Sequence, residues 1–338
     1  MTARSRISIV ALAVATVALF LPGLLAGGVD LPLSEVLGAF AGKGDATAHF
    51  IVVETRFPAL VTAMLAGAAL AVAGLLMQTC FNNPLAGPSI MGISGGASAG
   101  VAVVLLVFGG VFGFWGRMAL IGGAFAGAAA VLGVLLLFSR FVSSADVLLI
   151  IGILTGYLTG SMISLLNFFA AESAVHSYVL WGMGTFSGVD LGSLPLFAAV
   201  VLLLIVLCVP YCKSLNAMLL GSRYAESSGV AMQRTRTALL AVSGGLTAVV
   251  TAWCGPIGFL GLVVPHIARL MCGTANHRVL LPATALAGAL IGVVCQIASV
   301  APSLSTGSIL PVNAITPLIG VPVILYVLLN RRRLVYFS

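Results

Sequence analysis

The segment Gln78–Gly100 reads "QTCFNNPLAGPSIMGISGGASAG". It carries two asparagines, two prolines and a run of small residues inside a very apolar chain. Pro84 bars a regular helix at its own amide and biases Asn83 toward extended backbone. The pattern therefore predicts two membrane-length helices, roughly 57–79 and 90–111, separated by a break.

The surroundings of that break set the class. The 338 residues are 61% hydrophobic and only 7% charged, where a soluble domain carries about 25% charged residues. Mean hydropathy is +1.21. Apart from loops and ends, the chain has no charge to face water with, which points to an all-α polytopic membrane protein. The net charge of +7 does not indicate a nucleic-acid partner, because the basic residues are scattered between apolar spans. The six cysteines, at 80, 208, 212, 254, 272 and 295, lie in or beside apolar runs, and none forms C-x-x-C. They read as small apolar fillers rather than a disulfide frame.

A helix needs about 20 apolar residues to cross a bilayer. On that basis about ten transmembrane helices are expected, near 7–28, 57–79, 90–111, 118–139, 147–169, 194–211, 236–254, 257–271, 279–300 and 313–330. The first resembles a secretory leader, but its uncharged run from Ile7 to Gly28 exceeds the ~7–15 residues of a leader's apolar region, so a retained helix is expected. The eighth is short and interrupted by Pro265. Its neighbours must satisfy the backbone groups freed there. With both termini cytoplasmic, the inner segments hold Arg4, Arg6, Arg140, Lys213, Arg223, Arg234, Arg236, Arg269, Arg278 and Arg331 to Arg333, twelve against the three outer residues Lys43, Arg56 and Arg117. That bias supports both the orientation and the number of crossings. Gly92, Gly96 and Gly100, and likewise Gly67, Ala71 and Gly74, recur at helix-packing spacing. They read as close-packing faces.

Several chemistries are missing. "GAFAGKGD" (Gly38 to Asp45) has three residues between Gly38 and Gly42, and Gly44 where a phosphate loop needs Ser or Thr. The spans carry no ionisable group near their middles; Asp146 and His266 lie toward the inner ends. Cys208 and Cys212 share a helix face but read as packing, and His266 after Pro265 reads as a hydrogen-bonded structural residue, so no metal site is expected. No His–acid pair or strained nucleophile suggests an enzyme. The bundle must take its energy from elsewhere.

"RFPALVTAMLAGAALAVAGLLMQTCFNNPLAGPSIMGISGGASAG" (Arg56 to Gly100) resembles the signature of the FecCD-type permeases, the membrane subunits of ABC importers for ferric siderophores, haem and vitamin B12. "LLIIGILTG" (Leu148 to Gly156), "GPIGFLGLVVPHIARLMCGTANHRVLLPATALAGA" (Gly255 to Ala289) and "ITPLIGVPVILYVLLNRRR" are similar to further blocks, in the right order over nearly the whole chain. The resemblance implies one transmembrane permease domain over 1–338, of the type II ABC importer kind, in a bacterial inner membrane. It implies a second permease copy, identical or a close paralogue, and two cytoplasmic ATP-binding subunits that hold ATP and magnesium. It also implies an extracytoplasmic binding protein. This chain would then carry no cofactor of its own.

The resemblance also implies roles. Asn83, Pro84 and Leu85 would form one constriction of a cytoplasmic gate, and the turn with Ser143, Ser144 and Asp146 the other. Within the cytoplasmic loop 211–236, Gly221, Ala225 and Gly229 repeat every four residues. They would present a small-residue face to the ATPase, flanked by Arg223 and Glu226. Arg56 would dock the binding protein. Ala59, Val300 and Ile309 stand where relatives often carry charged docking groups. A ferric siderophore is the expected cargo, with haem and cobalamin as alternatives; a carrier that needs no ATPase is the competing class.

Overall fold

The computed structural model describes residues 2–43, 45–109, 113–142, 144–303 and 307–329. Ser143 of the expected gate and Arg331 to Arg333 lie outside them. Among the described residues the chain is helical and has no strand. It runs α1 (Ala3–Leu25), α2 (Leu33–Phe40), α3 (Ala46–His49), α4 (Phe57–Cys80), α5 (Ile93–Ala102), α6 (Gly113–Phe141), α7 (Ala145–Phe169) and α8 (Glu172–Gly182). Then follow α9 (Leu194–Val206), α10 (Cys212–Met218), α11 (Ser222–Ser227), α12 (Met232–Cys254), α13 (Leu260–Cys272), α14 (His277–Val300) and α15 (Val312–Leu329).

Among the described residues, seven helical stretches are long and apolar enough to cross a membrane: Ala3–Leu25, Ala46–Cys80, Trp115–Phe141, Asp146–Phe169, Leu194–Met218, Met232–Cys254 and His277–Val300. Three shorter apolar helices, Ile93–Val107, Leu260–Cys272 and Val312–Val327, fall where the sequence reading put its third, eighth and tenth spans. Two boundaries move. Helix α1 stops at Leu25 rather than near 28. The expected outer loop before the second span is instead helical from Ala46, with a π-turn over Phe50–Arg56 running straight into α4. Pro58 explains the wide turn: it has no N–H to return to Glu54, and the Phe57 N–H already bonds Val52 O, five residues back.

Helix α4 is the axis of the bundle, buried along nearly its whole length, with α12, α13 and α14 packed around it. Its small residues make this possible. A Cβ on Gly67 would overlap the Gly288 carbonyl of α14, and one on Gly74 would overlap the Gly261 carbonyl of α13. Gly96 and Gly100 of α5 meet Gly127 and Gly123 of α6 in the same way. The expected small-residue faces are therefore contact faces, although Gly67 and Gly74 serve different partners. Without a hydrophobic drive between helices in lipid, this backbone approach supplies the dispersion contacts that hold them.

Pro265 in α13 gives the second α4 contact its reason. Proline has no N–H for the carbonyl four residues back, Gly261 O. Gly74 of α4 comes directly against that oxygen. Gln78, one turn further along α4, donates its Nε2–H to Leu262 O at 3.0 Å.

Replacing Gly74 with Val should lower the thermal unfolding midpoint in a mild detergent. Overpacking a core costs about 1–3 kcal/mol. Gly133→Ala, where a Cβ meets open space, should leave the midpoint unchanged or slightly higher, since Ala favours helix over Gly by up to ~1 kcal/mol.

Candidate functional site

The break after α4 is a structured loop. Asn82 sits at φ 45, a left-handed conformation that asparagine tolerates. The Asn83 N–H bonds Gln78 O at 3.0 Å, and the Leu85 N–H donates to Asn83 Oδ1 at 2.9 Å, an Asx turn. Gly92, at φ 74, ends the loop against the Gly152 carbonyl and Gly156 amide of α7. Any side chain there would meet both strain and backbone. Leu85 is 40% exposed at the tip.

Two buried polar struts anchor this loop. In the first, the Gln78 Oε1 accepts from Arg269 Nη1 at 2.6 Å, and His266 Nε2 bonds the Pro84 carbonyl at 2.9 Å. A carbonyl only accepts, so His266 carries its proton on Nε2. In the second, Asn216 Oδ1 of α10 accepts both the His277 N–H and the ring Nδ1–H, each at 2.8 Å. His277 Nε2 lies 2.9 Å from the Thr79 hydroxyl, whose proton is shared with Leu75 O at 3.0 Å. Gln78 and Thr79 are neighbours on α4. Together they make a path of polar contacts from α10 to the end of α4 and from Gln78 to α13, whose own His266 completes it at the carbonyl of Pro84.

This geometry settles what His266 touches and changes the account of two cations. Arg269 and Arg236 count among the inner basic residues, but both side chains are buried rather than turned to headgroups. The path's members Gln78, Asn216, Arg269 and His277 carry no site role in the sequence reading. The available signal was polarity: a buried amide or guanidinium in an apolar helix must have a partner.

The other expected gate and coupling residues come together. Ser144 caps α7 by accepting from the Val147 N–H at 3.4 Å, and Asp146 follows in the first turn. Ser144 and Asp146 line a polar cavity of about 530 Å³ with Asn82, Ser222, Glu226 and Arg236. Asn83, Pro84 and Leu85 are outside its lining.

Of the expected small-residue face, Ala225 turns inward while Gly221 is half-buried and Gly229 exposed. Helix α11 is six residues long, between Gly221 at φ 100 and Gly229 at φ 84. Ala225 is 0% exposed and packs into the main core. A six-residue helix has one stripe to bury, and the bundle takes it. The outward face is Arg223, Tyr224 and Glu226.

At the opposite end, Arg56 is 8% exposed. Its Nη1 donates to Leu24 O and Leu25 O at 2.8 and 3.0 Å, and its Nη2 to Val29 O. These are carbonyls at and just past the end of α1, where no helical amide remains to bond them. Arg56, Ala59, Val300 and Ile309 line one cavity of about 170 Å³. The four positions the sequence singled out on this side are thus neighbours, with the guanidinium committed to α1. Asn313 ties three segments here: it donates to Gly182 O and Pro256 O and accepts from the Gly258 N–H.

The described residues have the build of a polytopic membrane protein, an all-helical bundle with seven helices long and apolar enough to cross a membrane. The pattern of the FecCD transport family matches residues 14–330, and the chain belongs to that family. The vitamin B12 import system permease protein BtuC of Salmonella typhi is 36% identical over 312 residues, 89% of this chain and 93% of that protein. BtuC of Escherichia coli O9:H4 (strain HS) is 36% identical over 300 residues, 87% of each. A solved structure, an inward-facing conformation of an ABC transporter assigned to the metal-chelate type, superposes with TM-score 0.83 at 29% identity, covering 96% of this chain and 98% of that one. The protein is accordingly an ABC-importer permease of the FecCD/BtuC type.

Two outcomes follow. His266→Ala removes the bond to Pro84, worth about 0.5–1.5 kcal/mol net. Hydrogen exchange of the 81–92 segment should quicken about 3–10-fold while α12 is unaffected. On the far side, the Ser193 hydroxyl and amide, with Arg117 adding its charge, hold the Asp190 carboxyl below its ordinary value of 3.8. A depressed carboxylate stabilises above the unfolded value and loses that contribution as pH falls through the folded one. Asp190→Asn should lower the unfolding midpoint at pH 7 by no more than about 2–4 °C, and the gap should close as pH drops below 3.8.

Proposed function

We propose that this chain is the translocating subunit of a binding-protein-dependent importer for a bulky metal chelate, driven by ATP hydrolysed in a partner. The observation that carries the reading is the set of polar contacts that joins Asn216 and His277 to the end of α4 at Thr79, Gln78 to α13 at Leu262 and Arg269, and His266 of α13 to the Pro84 carbonyl. It gives a mechanical link between the segment that would meet the ATPase and the loop that would close the pathway. In this reading the seven long helices and three shorter ones make ten crossings, with the basic end and both termini cytoplasmic in a bacterial inner membrane. Exposed apolar side chains on α7 and α15, among them Tyr157, Leu158, Phe168 and Leu318, would face a second permease copy.

Two cytoplasmic ATP-binding subunits would dock on the outward face of α11, at Arg223, Tyr224 and Glu226. Asp146 and Glu226 would place negative charge in the cavity beside it. The binding protein would deliver cargo at the far end. With Arg56 spent on α1, docking there would rest on shape around Ala59, Val300 and Ile309 rather than on ion pairs. The relatives' names move cobalamin ahead of the ferric siderophore that the sequence put first; haem is the remaining alternative.

Reconstitution with a cognate ATPase and binding protein tests this. Uptake of cobalamin, ferric siderophore and haem should require both partners and ATP. The permease alone should neither hydrolyse ATP nor pump, and uptake driven by a proton gradient without an ATPase would overturn the reading. Glu226→Arg should cut ATP-driven uptake at least about tenfold while leaving the folded protein in the membrane.

A further inference from the structure

A second cavity, of about 630 Å³, lies between the end of α9 with the turn after it and the start of α14. That volume is within the ~300–1,000 Å³ typical of small-ligand sites. Ile205 and Val209 form one wall, and Leu281 and Ala285 the other. Two prolines shape it. Pro210 stands in the 3₁₀ turn Val209–Tyr211. Pro282, inside α14, has no N–H for the Arg278 carbonyl and keeps the facing chain from closing on it.

The mouth is charged, with one sign. Lys213 and Arg278 both line it, and no acidic residue does. Both are exposed. Among the described residues the ion pair is Arg117–Asp190, at the other end of the bundle. Among the described residues, neither Lys213 nor Arg278 has a side-chain hydrogen-bond partner. The cavity is therefore an apolar slot under two unpartnered cations, on the outside of an apolar bundle at its basic end.

We propose that this groove binds one anionic phospholipid, with its phosphate on Lys213 and Arg278 and an acyl chain between α9 and α14. The charge excludes a cation as occupant. The apolar walls give free phosphate nothing to bury. A zwitterionic lipid would match the walls but leave its choline against two cations. A basic pocket between membrane helices is the setting in which anionic headgroups are held. The assignment goes beyond the transport reading and does not depend on it.

Native mass spectrometry of the purified full chain, titrated with phosphatidylglycerol or phosphatidylcholine, tests the assignment. Wild type should retain about one phosphatidylglycerol per chain and bind phosphatidylcholine much more weakly. Each cation near an anionic headgroup is worth about fivefold, so Lys213→Gln with Arg278→Gln should weaken phosphatidylglycerol about thirty-fold. Both are exposed positions, so folding is preserved. Ala285→Trp, which fills the groove and leaves the cations, should also lose the lipid. Inorganic phosphate should not displace it. Equal binding of the two lipids by wild type, unchanged phosphatidylglycerol binding in the double variant, or displacement by phosphate would each overturn the proposal.

Discussion

The carbonyl of Gly261, left without an amide by Pro265, is the constraint around which the basic end of the bundle is organised. In hydrocarbon no water can reach such a group, so protein must close tightly around it. Only a residue without a side chain reaches that close, and α4 supplies Gly74. Once α4 and α13 are locked at this distance, Gln78 falls within reach of both Leu262 O and the Arg269 guanidinium. His266, one residue after the proline, falls within reach of the Pro84 carbonyl. The break in α13 and the break after α4 are thus one feature, each completing the other's backbone.

The two ends of the bundle use their polar groups differently. At the basic end, side chains bond across helices and connect α10, α14, α4 and α13 to a loop. At the far end, Arg56 and Asn313 satisfy the ends of helices and the turns beside them. The first arrangement couples elements; the second fixes them. A transport protein whose moving loop lies at one end and whose receiving surface lies at the other would need that asymmetry.

The fold was largely legible in the sequence, because bilayer length and composition are strong constraints and the apolar runs match the helices to within a few residues. The errors fell where the physics is local. The second span was expected to begin near residue 57, yet the helix runs in from Ala46 through a wide turn ending at Arg56. The spacing of Gly221, Ala225 and Gly229 does not say which way each residue turns: Ala225 is buried, Gly221 half-buried and Gly229 exposed. The positive-inside rule treats every cation as a headgroup partner, whereas Arg236 and Arg269 are interior residues. Gln78 could be seen in the sequence as an odd polar residue; its partners, some 190 positions later, could not.

The burial of Ala225 carries a mechanical consequence. With its one inward residue closed in the core, α11 has no slack beneath it and cannot be dented alone. A force applied to Arg223, Tyr224 or Glu226 has to be carried as rigid displacement by α10 and α12. Asn216, bonded to His277 by two short hydrogen bonds, would then pass it on as a pull on a stiff linkage rather than a slackening tether. In the transport reading proposed above, the segment would work as a lever keyed into its axle, with a stroke set by how far the end of α4 can give.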